Sequence, residues 1–77
     1  LPRIERIEQI RERFGIAEWE VVTSRGPRKF VTKSVHDSVT EPEPNRYLVT
    51  DVDGNRYEIA DLTEIEPTSA KRLSELL

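Results

Sequence analysis

Arg46–Ala60, with the sequence RYLVTDVDGNRYEIA, is the stretch that decides the fold predicted for this chain. Two short runs that contain aromatic and β-branched residues, 46–50 and 56–60, lie on either side of a segment rich in turn-forming residues. Such residues are typical of β-strands, and Asp-Gly between two short runs of them is a strong hairpin signal. The sequence therefore predicts a β-hairpin, with a turn formed by Asp51, Asp53, Gly54 and Asn55.

Two registers of this hairpin are compatible with the turn. A two-residue Asp53–Gly54 turn would pair Asp51 with Arg56, whereas a three-residue loop with Gly54 in the left-handed conformation pairs Asp51 with Asn55. We favour the second register, because it collects four large side chains on one face, and a one-residue shift would divide them between core and water. Those side chains are Tyr47, Val49, Tyr57 and Ile59.

Helices are predicted at both ends of the chain. In residues 3–14 four apolar residues recur at helical spacing, which predicts an amphipathic helix that ends at Gly15. Pro67 is well placed to begin a terminal helix. The buried sides of these helices would carry Ile4, Ile7, Ile10 and Phe14 in the first and Ala70, Leu73, Leu76 and Leu77 in the second.

A second hairpin is predicted after the first helix. Glu18–Thr23 alternates, Ser24–Pro27 is a turn signal, and residues 28–33 resume strand character with Phe30 turned inward. Residues 34–45 are predicted to form a loop, because their two prolines disfavour a central strand. The expected fold class is α+β: a four-stranded antiparallel sheet made of two hairpins, flanked by an N-terminal and a C-terminal helix (α-β-β-β-β-α).

Length and composition restrict the class of protein. The 77 residues allow a single domain, residues 1–77, and the absence of cysteine excludes a disulfide framework, so the cytoplasm is the default location. No apolar run approaches the roughly 20 residues that a membrane-spanning helix needs, so a transmembrane protein is not expected. Because the chain contains no methionine and begins Leu1–Pro2, we expect it to be an excised part of a longer protein.

Charge is segregated along the chain. Residues 24–36 contain four basic residues and no acidic one, whereas residues 37–66 contain nine acidic residues and two basic ones. The basic block surrounds a turn, so Arg25, Arg28 and Lys29 would form a hairpin tip able to contact a protein or an anion. Charge pairing between neighbouring strands would account for the same segregation. The net charge of −3 argues against a dedicated nucleic-acid-binding domain.

Residues with catalytic or metal-binding chemistry are few. His36 is the only histidine, and no nucleophile with a base and an acid accompanies it. The segment Asp51–Asn55 spaces oxygen ligands as the start of a calcium loop does, but Arg56 and Leu62 replace the Gly and Glu that such a loop requires. We therefore expect no catalytic residue, no metal site and no cofactor, and hence a protein that is not an enzyme.

Several segments of the chain resemble one bacterial family. They are Pro2–Ile4, Trp19–Val21 with Arg25–Pro27, Tyr47–Ile59 followed by Asp61–Leu62, and the end from Ile65 to Leu77. Together they are similar to the C-terminal half of a domain-of-unknown-function family (DUF1854). The resemblance implies a small cytosolic protein or the tail of an ATP-binding-cassette (ABC) transporter polypeptide, associated with cyanophycin metabolism. No catalytic residues are established for that family, so the resemblance implies none here.

The function expected from these observations is that of a non-catalytic cytoplasmic accessory or interaction domain. Its partner would be a protein, for which the resemblance implies an ABC-transporter subunit. The alternative is a module that binds an anion or a nucleic acid through the basic hairpin tip. Self-association is left open, because exposed sheet edges in a small domain pair readily with another chain.

Overall fold

Six β-strands and two short helices make up the chain in the computed structural model, which describes residues 1–77. The elements in chain order are β1 (Ile4–Arg13), β2 (Ile16–Thr23), β3 (Gly26–Lys33), α1 (Val35–Ser38), β4 (Val39–Glu43), β5 (Arg46–Thr50), β6 (Arg56–Ile59) and α2 (Pro67–Ser74). The strands form two three-stranded antiparallel sheets, with the orders β1-β2-β3 and β4-β5-β6. Neither helix is long and apolar enough to cross a membrane.

The predicted fold, one four-stranded sheet flanked by two helices, is wrong. The chain forms six strands in two sheets, and the C-terminal helix α2, which begins at Pro67 as predicted, is the only helix of more than one turn. The largest difference lies at the N-terminus. There β1 replaces the predicted helix 3–14 and pairs with β2.

Two β-bulges explain why the first strand has the hydrophobic spacing of a helix. The register of β1 against β2 shifts between Ile4 and Arg6 and again between Ile7 and Gln9. Each bulge adds one residue to β1, so an inward-facing residue recurs after three positions instead of two. Ile4, Ile7 and Ile10 therefore lie opposite Thr23, Val21 and Trp19, respectively. Ile4 and Ile7 are buried, and Ile10 packs against the core.

Helix α2 packs against β1 next to the second bulge. Ser69 of α2 accepts a hydrogen bond from the backbone N–H of Ile7 at 2.9 Å, and its hydroxyl lies 3.2 Å from the carbonyl oxygen of the same residue. Ser69 thus pairs with backbone groups that a neighbouring strand would otherwise satisfy. Since both residues are fully buried, water has no access to these groups.

Residues 34–45, predicted to be a loop, instead form α1 and β4. The hydroxyl of Ser34 accepts a hydrogen bond from the N–H of Asp37 and so caps α1 at its N-terminus. Strand β4 pairs only with β5, so Pro42 lies in an edge strand, where a missing N–H is tolerated. Val35 is fully buried and attaches this segment to the core.

The β5–β6 hairpin has the register that its sequence favours. Tyr47 lies opposite Ile59 and Val49 lies opposite Tyr57, while Gly54 takes the left-handed conformation in the loop, with a φ of 84°. This prediction is confirmed. The same register turns the larger part of the hairpin's apolar surface toward the core.

A row of three aromatic rings connects the two sheets. The ring of Phe30 in β3 stacks on that of Trp19 in β2, with centroids 5.3 Å apart, and on that of Tyr57 in β6, with centroids 4.1 Å apart. The indole nitrogen of Trp19 donates a hydrogen bond to the hydroxyl of Thr32 at 3.0 Å, so its polar atom is satisfied inside the core. Because Tyr57 belongs to the other sheet, this stacking stabilises the contact between the sheets.

Replacing Ser69 with alanine is expected to destabilise the domain by about 1–3 kcal/mol, because the buried N–H of Ile7 loses its partner. Chemical denaturation measures the loss. Ser74→Ala, at an exposed position of the same helix, is the control and is expected to change the free energy of unfolding by less than about 0.5 kcal/mol. A Ser69→Ala protein as stable as the control would contradict the role assigned to this hydroxyl.

Candidate interaction surfaces

The turn between β1 and β2 carries an exposed phenylalanine. Phe14 and Gly15 have positive φ angles of 52° and 76°, as a type I′ turn requires at its two central positions. Asn-Gly is the preferred pair for such a turn, since the left-handed conformation is unfavourable for a bulky residue. The sequence-based placement of Phe14 on a buried helix stripe is wrong. The residue is 100% exposed, because the chain turns here, and the following Gly15 was the available signal for that turn.

Two further apolar residues are exposed on the outer face of the first sheet. Ile16, just after the turn, is 49% exposed, and Val31 in β3 is 37% exposed. Ile16 pairs with Lys33, and Val31 pairs with Glu18, so the two apolar side chains belong to adjacent rows of one face. We call Phe14, Ile16 and Val31 the apolar patch.

Basic side chains border the apolar patch, and one acidic residue, Glu18, lies directly opposite Val31. Arg13 lies opposite Ile16 on one side and Lys33 lies opposite it on the other, while Arg11 faces Glu18 in the next row. None of these three basic residues forms an ion pair. Their charges are therefore available to a partner.

Lys29, one of the three residues predicted at the basic tip, lies on this outer face as well. Its Nζ is 3.7 Å from a carboxylate oxygen of Glu20, which is directly opposite on β2. Cross-strand pairing of this kind is one of the two explanations that the charge segregation left open. Arg28 is adjacent to Lys29 in the strand, so the two side chains lie on opposite sides of the sheet.

Arg25 and Arg28 meet a third arginine, Arg56, at the end of the first sheet remote from Phe14. All three line one depression of about 380 Å³. The depression is also lined by Pro2, Asn55 and Tyr57. We call Arg25, Arg28 and Arg56 the arginine cluster. Arg56 belongs to the second sheet, and no local pattern in the sequence indicates that it joins the other two.

Both oxygens of the Asp51 carboxylate accept hydrogen bonds from groups of the β5–β6 hairpin. One oxygen accepts hydrogen bonds from the backbone N–H groups of Asp53 and Asn55, both at 2.9 Å. The other accepts from the side-chain amide of Asn55 at 3.1 Å and from the hydroxyl of Tyr57 at 3.3 Å. These four bonds account for a buried carboxylate without a cation. The chain contains no group of three histidine or acidic side chains arranged to hold a metal ion.

His36 lies exposed in α1. The neighbouring Asp37 carboxylate is 3.0 Å from the hydroxyl of Ser34, with which it shares the N-terminal cap of the helix. These contacts give Asp37 a structural role at the helix end rather than a role in orienting the imidazole.

Phe14→Asn is expected to raise the free energy of unfolding by roughly 1 kcal/mol, because Asn tolerates the left-handed conformation of this turn. Chemical denaturation measures the change. Phe14→Ala is the matched control, since it removes the ring but keeps a residue that disfavours this conformation. An equal gain in both variants, or a loss in Phe14→Asn, would show that the turn is not strained by its phenylalanine.

Stability is expected to depend on the ionisation of Tyr57 at alkaline pH. Burial raises the pKa of its phenol, Asp51 raises it further, and Arg28 acts in the opposite direction. The folded protein thus holds the phenolic proton more tightly than the unfolded chain does. The resulting stabilisation is complete below about pH 10 and is lost as the pH rises above that value.

The difference in free energy of unfolding between the wild type and Tyr57→Phe is therefore expected to shrink above about pH 10. Denaturation at a series of pH values measures it. Burial also raises the pKa of Tyr47, but that residue is present in both proteins and cancels in the comparison. A difference that stays constant with pH would contradict the effect assigned to Tyr57.

Comparison with known proteins shows the family of the chain. A family model described as a domain of unknown function, DUF1854, matches residues 1–76. No curated protein and no solved structure matches the chain. Because the family model covers almost every residue, the chain belongs to the DUF1854 family.

Proposed function

We propose that this domain has no catalytic role and binds a protein partner through the apolar patch. The observation that carries the proposal is the state of Phe14, which is fully exposed at a backbone position that disfavours a large side chain. The left-handed conformation costs an ordinary residue roughly 1–2 kcal/mol. Because its side chain is fully exposed, Phe14 gains no burial energy to offset this cost. Residues held in an unfavourable backbone conformation without a compensating gain in stability are expected at functional sites.

The surroundings of the apolar patch indicate the chemistry of the partner. Arg13 and Lys33 place unpaired positive charges on both sides of Ile16, whereas Glu18 lies between Arg11 and Val31. A depression of about 240 Å³ on the same face adjoins Val31 and gives room for a side chain of the partner; charged residues of both signs line it, Arg11 and Lys29 with Glu18 and Glu20. The complementary surface would be an apolar recess with an acidic border, since oppositely charged surfaces increase both specificity and the rate of association.

An ABC-transporter subunit is the first partner to test. The choice rests on the family resemblance, which implies proteins that lie beside or within ABC transporters and are associated with cyanophycin metabolism. In this proposal the domain works in the cytoplasm as an accessory to the transporter. Membership of DUF1854 establishes the family and does not itself identify a partner.

Co-purification with the ATP-binding subunit of the transporter tests the proposal, with the domain in its full parent chain. Phe14→Asn is expected to weaken binding about tenfold or more, because exposed aromatic residues at the centre of an interface carry much of its energy. The variant is expected to keep the fold, because Asn suits the left-handed conformation of this turn, so a loss of binding would report on the contact itself.

Leu1→Asn is the control for this experiment. It removes another exposed apolar side chain, but near the end of the sheet where Ser24 meets Arg3, remote from Phe14. Binding by Leu1→Asn is expected to equal that of the wild type. Equal capture of Phe14→Asn and the wild type would contradict docking through the apolar patch, and failure to capture the wild type would exclude this subunit as the partner.

A further inference from the structure

We propose that the arginine cluster is a binding site for a phosphate group, carried either by a soluble molecule or by a lipid headgroup. The site lies at the end of the first sheet remote from Phe14 and shares no residue with the apolar patch. This proposal therefore does not rest on the protein docking proposed above. The two proposals can fail separately.

The first residues of the chain bring the two parts of the arginine cluster together. The segment Pro2–Arg3 runs between the β2–β3 turn and β6. On one side the N–H of Ser24 donates a hydrogen bond to the carbonyl oxygen of Arg3 at 2.8 Å. On the other side the N–H of Glu58 donates to the carbonyl oxygen of Pro2 at 2.9 Å. The turn and the strand that supply the arginines are thus fixed side by side.

The arginine cluster concentrates positive charge in a protein of net negative charge. No acidic residue lines the depression, and none of its three arginines forms an ion pair. Arg46 differs, because its Nε lies 2.7 Å from a carboxylate oxygen of Glu58. The nearby carboxylate of Asp51 is buried and accepts four hydrogen bonds within the β5–β6 hairpin. The three guanidinium groups therefore keep their charge available for a ligand.

The residue types in the depression favour a phosphate ligand. A planar guanidinium donates to two phosphate oxygens at once, which gives strong and geometrically specific contacts. Arg28 donates one hydrogen bond to the carbonyl oxygen of Pro27 at 2.8 Å, so part of its donor set is anchored and the rest remains free. The volume of about 380 Å³ accommodates a phosphate or diphosphate group.

Recognition of a nucleobase is disfavoured at the same place. Tyr57 is the only aromatic residue that lines the depression; the residue is 8% exposed, and its ring stacks on Phe30. Proteins that bind single-stranded nucleic acids instead present free aromatic rings on which bases stack. The ligand is thus recognised through its phosphate group.

Titration with inorganic pyrophosphate, followed by NMR of the backbone amides, tests the site. We expect shifts confined to residues around the depression, and about tenfold weaker binding after Arg56→Gln, because the change removes charge-assisted hydrogen bonds. Lys29→Gln is the matched control. It removes one positive charge, as Arg56→Gln does, from the residue next to Arg28. Because Lys29 lies on the outer face and pairs with Glu20, the affinity for pyrophosphate is expected to stay unchanged.

A second experiment measures binding to phosphatidylcholine vesicles that contain a phosphoinositide. It distinguishes a soluble phosphorylated ligand from a lipid headgroup. Arg56-dependent binding of pyrophosphate alone indicates a soluble ligand, and Arg56-dependent binding of these vesicles as well indicates a lipid headgroup. Equal weakening by Arg56→Gln and Lys29→Gln would overturn the proposal, because it indicates attraction by net charge alone. A wild-type protein that binds neither pyrophosphate nor the vesicles would also overturn the proposal.

Discussion

Three isoleucines of β1 face the core together only because two bulges lengthen that strand relative to β2. The bulges place each isoleucine opposite an inward-facing residue of β2, and Ser69 of α2 satisfies the backbone of Ile7 beside them. The strand then continues to the Phe14–Gly15 turn. A helix over the same residues would have buried Phe14 on its apolar side. The bulged strand exposes it instead, so the proposed docking surface depends on the bulges.

The first sheet separates two surfaces of different chemistry. At one end an exposed aromatic ring and two aliphatic side chains lie among unpaired basic residues, which suits a folded partner with an acidic, partly apolar surface. At the other end the three arginines line a depression that contains no acidic residue, which suits an anion. Such a separation would let one domain bind a partner and a phosphorylated ligand at the same time. The stacking of Phe30 on Tyr57 fixes the second end, because it joins the sheets that supply the arginines.

Local signals in the sequence could be predicted, and contacts between distant segments could not. The register of the β5–β6 hairpin follows from the two-residue spacing of its large inward-facing side chains and from the left-handed Gly54, all of which lie within fifteen residues. The three-residue spacing of the β1 isoleucines fits a helix and a regularly bulged strand equally well, so periodicity alone gave the wrong element. Arg25 and Arg28 lie close together in the sequence at one hairpin tip, so the sequence predicts that both contact a protein or an anion. Arg56 joins them only through the contact between the sheets, which no sequence pattern describes.

Backbone proton contacts measured by nuclear Overhauser spectroscopy test the bulged strand most directly. The structure pairs Ile7 with Val21 and Ile10 with Trp19. We therefore predict cross-strand contacts between the backbone protons of both pairs, with none of the contacts between residues three apart within 4–13 that mark a helix. Helical contacts throughout residues 4–13, without the cross-strand set, would contradict the bulged strand and with it the exposure of Phe14.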